Sequence, residues 1–101
     1  MADEALTARA IPPRCGDHVH HKPSGENWVV AWAEGDDIAW SGWPNGIARL
    51  ADCEVTLRCN DADHRKWVAS WSGVNDPRAA RVMRLYGDVL RDTAIAAAAT
   101  P

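Results

Sequence analysis

The sequence predicts an α+β domain, with a small, strongly twisted antiparallel sheet or barrel of four to five strands over residues 15–59, then two helices over residues 60–99. Three observations predict it. Between Gly16 and Cys59, short apolar runs are closed by turn residues at Pro23-Ser24-Gly25, Gly35-Asp36-Asp37 and Pro44-Asn45-Gly46. After Asn60 the apolar spacing changes from every second residue to the spacing of a helix face. Six tryptophans and no phenylalanine among 101 residues give a short chain a few very large rings with which to fill a thin core.

The first strand is expected over residues 17–22 and the second over residues 27–33. In the second, Trp28, Val30 and Trp32 alternate with Val29, Ala31 and Ala33, so both faces are apolar and the strand should be central. The third strand is expected over residues 37–41, with Ile38 and Trp40 on one face. Gly42 to Gly46 reads as a loop, because Pro44 has no N–H to give to a ladder. A short strand is expected around residues 47–50. The last strand runs over residues 53–59, where Cys53, Val55, Leu57 and Cys59 alternate with Glu54, Thr56 and Arg58. Asn60 or Asp61 caps a first helix reaching Trp71, with His64, Trp67, Val68 and Trp71 on one face. Asp76-Pro77 starts a second helix, expected to continue to about Thr93, with a stripe of Val82, Met83, Tyr86, Val89 and Leu90. That stripe either packs on the barrel or pairs with a second chain through residues 77–95. Residues 1–14 are expected to form a flexible tail set off by Pro12-Pro13, leaving residues 15–101 as a single domain.

Charge excludes some functions. The formal charge is −3, and residues 1–59 hold 5 basic against 9 acidic residues, a net of −4, so the strand half is acidic. A protein that coats nucleic acid without regard to sequence would be basic, and direct nucleic-acid binding is therefore not expected. No run of about 18 apolar residues suggests a membrane span. The acids near the N-terminus do not resemble a secretory leader, so the expected location is the cytoplasm, with Cys15, Cys53 and Cys59 as free thiols.

No constellation points to catalysis, and no cofactor is expected. Cys15, His18, His20, His21, Cys53, Cys59 and His64 include metal-binding residue types. Cys53 and Cys59, however, lie about 20 Å apart if their strand is extended, and only Cys15 and His18 approach zinc-ligand spacing, so no metal site is expected. The His18/His20/His21 cluster has no nucleophile or orienting acid beside it. Trp43 differs from the other tryptophans because it sits in the loop between Gly42 and Pro44, where burial is not assured. The expected binding residues are Trp43, Pro44 and Asn45 in that loop, the acidic Glu34, Asp36 and Asp37, and Arg78, Arg81 and Arg84 on a flank of the second helix. An aromatic cage for a cationic group, built from Trp43 with Trp40 or Trp28, is a further reading of the same loop.

The run Gly16-Asp17-x-Val19-x-His21-x-Pro23-Ser24-Gly25-Glu26-x-Trp28-Val29-Val30-Ala31, followed by Gly42-Trp43-Pro44 and Leu50-Ala51-Asp52-Cys53-Glu54, resembles a group of small uncharacterised phage and prophage proteins. The strand order resembles SH3-like and Tudor-like barrels. The phage resemblance implies an accessory, non-enzymatic protein that binds a host or phage protein complex in the bacterial cytoplasm. Its most concrete form is an anti-CRISPR-type inhibitor acting by steric occlusion. The alternative is a nucleic-acid-binding or Tudor-like barrel using Trp43 and the second-helix arginines.

Overall fold

A computed structural model describes residues 11–42 and 46–91. It is an α+β fold: β1 (His18–His21), β2 (Glu26–Glu34), β3 (Asp37–Trp40), β4 (Ala48–Arg49), a 3-10 turn (Leu50–Asp52), β5 (Cys53–Leu57), α1 (Asp61–Ser70) and α2 (Pro77–Tyr86). The strands form one antiparallel sheet in the order β4-β3-β2-β1-β5, with β2 at its centre. The sheet is open, since β4 and β5 stand at its two ends and do not pair. The β2–β3 turn places Gly35 at φ +61°, a conformation that only glycine adopts without strain.

The expected division of β2 into two clean faces does not hold. The β2–β3 register slips between Val30 and Trp32: Val30 pairs with Trp40, whereas Trp32 pairs with Ala39 and Ala33 with Ile38. A bulge of this kind turns the residues beyond it to the other face. Trp32 consequently joins Ala31, Ala39, Cys15, Val68, Trp71, Ala79 and Val82 in a cluster between sheet and helices. Ala33 joins Val30, Val19, Ile38, Leu50 and Cys53 in a second cluster. The extra residue thus gives each face of the sheet its own small core.

The helices form where their caps and stripes place them. Asn60 Oδ1 accepts from the Asp63 N–H at 2.7 Å and caps α1, and Asp76 Oδ1 accepts from the Arg78 N–H at 2.8 Å to cap α2. His64, Trp67, Val68 and Trp71 all face the helix-side cluster. So do Val82, Met83, Tyr86, Val89 and Leu90, which means that the α2 stripe packs on its own chain. The Tyr86 hydroxyl accepts from the Ala33 N–H at 3.2 Å and ties α2 to β2. The helix expected to continue to Thr93 breaks at Gly87, and one further helical turn follows over residues 88–91. The strand expected to reach Cys59 ends at Leu57.

The tail expected through residue 14 is carried too far into the chain at its inner end. Pro13 is fully buried, and Arg58 donates to the carbonyls of Ile11 and Pro12 at 2.6 and 3.1 Å. Arg14 donates to the Cys59 carbonyl at 3.1 Å and to Asp61 at 2.9 Å. Residues 11–14 are therefore part of the domain. The rest of the expected tail lies outside the described residues.

Candidate functional site

Two groups of side chains stand out, one on each face of the sheet. The first is a ladder of rings across β1, β2 and β3. His21 stacks on Trp28 with centroids 4.2 Å apart and planes 18° from parallel, and Trp28 stacks on Trp40 at 4.0 Å and 16°. All three are half-buried. Local hydrogen bonds hold one outer ring and the middle one: His21 Nδ1 lies 2.7 Å from Ser24 Oγ, and Trp28 Nε1 donates to Glu26 at 3.1 Å. The β3–β4 loop departs from Trp40 and returns beside it, since a Cβ on Gly46 would lie 3.3 Å from the Trp40 ring. Parallel indoles 4.0 Å apart leave no room for a cation between them, so Trp28 and Trp40 do not form two walls of an aromatic cage.

The second group lies where α2 crosses β2 and β3. Glu34 accepts from Arg81 at 3.0 Å and from both terminal nitrogens of Arg84, at 2.7 and 3.0 Å. The hydrogen bond from Arg84 is the first cause that holds the Glu34 carboxyl below its ordinary range. Arg81 also lies over the Trp32 ring at 4.4 Å. Arg78 pairs with Asp76 at 2.8 Å, donates to the carbonyls of Trp40 and Gly42 at 2.6 and 2.8 Å, and covers Trp71 at 5.0 Å. A pocket of about 260 Å³ opens beside them, lined by Trp32, Ala39, Ile47, Pro77, Arg78 and Arg81 among others.

The expected binding residues therefore divide. Glu34, Arg81 and Arg84 come together as ion pairs that fasten α2 to the sheet, and Arg78, paired with Asp76 of its own helix, reaches the sheet through the Trp40 and Gly42 carbonyls. Asp36 and Asp37 remain exposed at the β2–β3 turn. Trp43, Pro44 and Asn45 lie outside the described residues. Asp17, in sequence only a polar residue at a strand start, is a further residue of structural weight. Its side chain is only 1% exposed, and it accepts from the N–H groups of Cys59 at 2.8 Å and Arg14 at 3.0 Å, with Arg58 3.5 Å away. Its partners lie up to 42 residues distant, so no local pattern marks it.

The thiols are poorly suited to nucleophilic or metal chemistry at neutral pH. Burial, with Cys59 and Asp17 nearby, pushes Cys15 up to about 12. Burial with Asp52 pushes Cys53 to about 11, and burial with a hydrogen bond to Asp17 pushes Cys59 to about 11. Among the described residues no three His, Cys, Asp or Glu side chains converge to hold a metal ion. The buried imidazole of His64 places Nδ1 2.8 Å from the Cys15 carbonyl and meets Tyr86 edge-on at 5.3 Å.

These thiols imply a pH dependence. The folded protein retains their protons at pH values where the unfolded chain has released them. The stability they contribute is thus complete below about pH 8.5 and declines as pH rises toward the folded values. For the fully buried Cys15 the slope should approach ~1.4 kcal/mol per pH unit. Urea melts between about pH 8 and about pH 10.5 should show this decline, and Cys15→Ala should flatten it. An unchanged slope in the variant would assign the loss to other groups.

No family model matches the chain, and no curated protein or solved structure matches it significantly.

Proposed function

We propose that this chain is a non-enzymatic binding module that docks on another protein through the His21–Trp28–Trp40 ladder and the β3–β4 loop at its foot. The observation that carries this reading is the ladder itself. Two indoles and an imidazole, half-exposed and already ordered by stacking, present a large contact area that loses little conformational freedom on binding. The groups with reactive potential are otherwise engaged: the thiols are protonated, and Arg78, Arg81 and Arg84 are paired with Asp76 and Glu34. That pairing leaves a net of one positive charge among the three arginines, which weighs against the nucleic-acid reading, because phosphate binding draws on several free cations. The strand order 4-3-2-1-5, with a 3-10 turn between the last two strands, supports an SH3-like reading of the sheet. In its most concrete form the module is a phage-type inhibitor of a host defence complex, acting by steric occlusion in the bacterial cytoplasm. Asp36 and Asp37 then supply the negative charge that faces a basic channel.

The test compares wild-type protein with Trp28→Ala as baits in a bacterial lysate. Trp28 is half-buried, so truncation should lower stability by about 1–2 kcal/mol and leave a cooperative melt. A hot-spot indole contributes about 2–4 kcal/mol to binding, so the partner should be lost. A partner that the variant retains as well as wild type does would overturn the ladder as the docking surface. Steeply salt-dependent binding of an oligonucleotide would favour the nucleic-acid reading instead.

A further inference from the structure

We infer that the pocket beside α2 is a binding site for a small monocarboxylate with an apolar body, its carboxylate held by Arg81. This site lies on the helix side of the sheet and does not depend on the aromatic ladder.

The walls of the pocket set the body of the ligand. Trp32, Ala39, Ile47 and Pro77 line it, so most of what a ligand touches there is hydrocarbon or indole. Trp32 and Ala39 are buried in the helix-side cluster and give the pocket a fixed floor. Ile47 is 61% exposed and stands at the rim. A large apolar side chain left in solvent beside an apolar floor gains cover when the space between them is filled. The volume of about 260 Å³ lies near the lower end for ligand sites and suits a molecule of about ten non-hydrogen atoms.

The charges set the head group. Asp76, Arg78 and Arg81 are the charged residues among those lining the pocket. Arg78 gives Nε and Nη2 to Asp76, and Nη1 to the Trp40 and Gly42 carbonyls, so its fork is occupied and its charge is met. Arg81 is different. A guanidinium carries about five N–H groups, and among the described residues Arg81 donates only through Nη1, to Glu34 at 3.0 Å. Glu34 is shared, since Arg84 holds both of its oxygens. The Arg81 side chain keeps 38% of its exposure, and its guanidinium lies 4.4 Å from the centre of the Trp32 ring, which is part of the pocket floor. Glu34 cannot neutralise both Arg81 and Arg84, and the surplus is a single positive charge. That surplus matches one carboxylate, which the planar fork of an arginine can meet with two parallel hydrogen bonds. A phosphate brings more charge than the site can balance, and it would set polar oxygens against an apolar floor.

The experiment titrates the full chain with phenylacetate, followed by NMR. The indole N–H of Trp32 and the side-chain Nε–H of Arg81 should shift and saturate, while the indole N–H of Trp28 on the other face stays in place. Phenylacetamide, which has the same shape without the charge, should bind about tenfold more weakly. Inorganic phosphate, which has charge without an apolar body, should leave both signals unmoved. Two variants locate the site. Arg81→Met keeps an apolar stem over Trp32 and leaves Arg84 on Glu34, so it should melt cooperatively and lose phenylacetate binding. Ile47→Glu alters a side chain that stands in solvent, so it should fold as wild type does, and its negative charge at the rim should weaken binding about tenfold or more. The inference is overturned if phenylacetate produces no saturable shift at Trp32, or if phenylacetamide or phosphate binds as tightly. Binding that Ile47→Glu leaves unchanged overturns it too, because the ligand then sits elsewhere.

Discussion

Replacing Trp32 with alanine is expected to remove about 3–5 kcal/mol of folding stability, close to the whole stability of many small domains. Trp32 is 3% exposed and sits in the helix-side cluster, with Ala39 opposite it on β3 and Arg81 above its ring. Truncation leaves a cavity between sheet and α2 that neither can easily close, because the Glu34–Arg81–Arg84 ion pairs and the Tyr86–Ala33 hydrogen bond hold the helix at its distance. The cost is then the lost transfer energy plus the void. Chemical denaturation gives the value directly. A loss near that of Trp28→Ala would mean that α2 collapses into the space and that the junction is softer than its ion pairs imply.

The second large effect is expected at Asp17. Its side chain is almost fully buried and receives two backbone N–H groups and the edge of Arg58. Asp17→Ala deprives the Arg14 and Cys59 N–H groups of their acceptor and leaves the inward-facing nitrogen of Arg58 without its carboxylate. Loss of one partner from a buried charged network of this kind typically costs about 3–5 kcal/mol. The damage should concentrate where residues 11–14 meet the β5–α1 junction, so hydrogen exchange at Arg14 and Cys59 should accelerate first. Asp17→Asn should be milder, because its amide oxygen can still accept one of the N–H groups. Equal losses in the two variants would show that negative charge, rather than hydrogen bonding, is what the site requires.

The local features were legible because they depend on neighbouring residues. The turn at Gly35-Asp36 sets the β2–β3 hairpin, Asn60 and Asp76 cap the helices, and the spacing of Val82, Met83 and Tyr86 marks the buried side of α2. Size, acidity and an α+β class follow from composition and periodicity. Features that depend on distant residues were not legible. Asp17 looks like any polar residue at a strand start until the chain brings Cys59 and Arg58 to it. Glu34 and the α2 arginines read as two exposed binding surfaces, and only packing α2 across β2 turns Glu34, Arg81 and Arg84 into one ion-paired junction.

The bulge in β2 shows the division most clearly. Strict alternation from the Gly35-Asp36 turn would set Trp40 opposite Ala31 and send Trp28 to the other face of the sheet. One extra residue between Val30 and Trp32 instead pairs Trp40 with Val30, brings Trp28 and Trp40 together at 4.0 Å, and sends Trp32 beneath α2. The sequence by itself determined that the tryptophans of β2 and β3 lie on strands and that those strands form a hairpin. Which rings build the ladder and which one fills the core was decided only by the tertiary structure. A bulge has no local sequence requirement here: it forms because both faces of β2 must be covered, and a helix pair lies on only one of them.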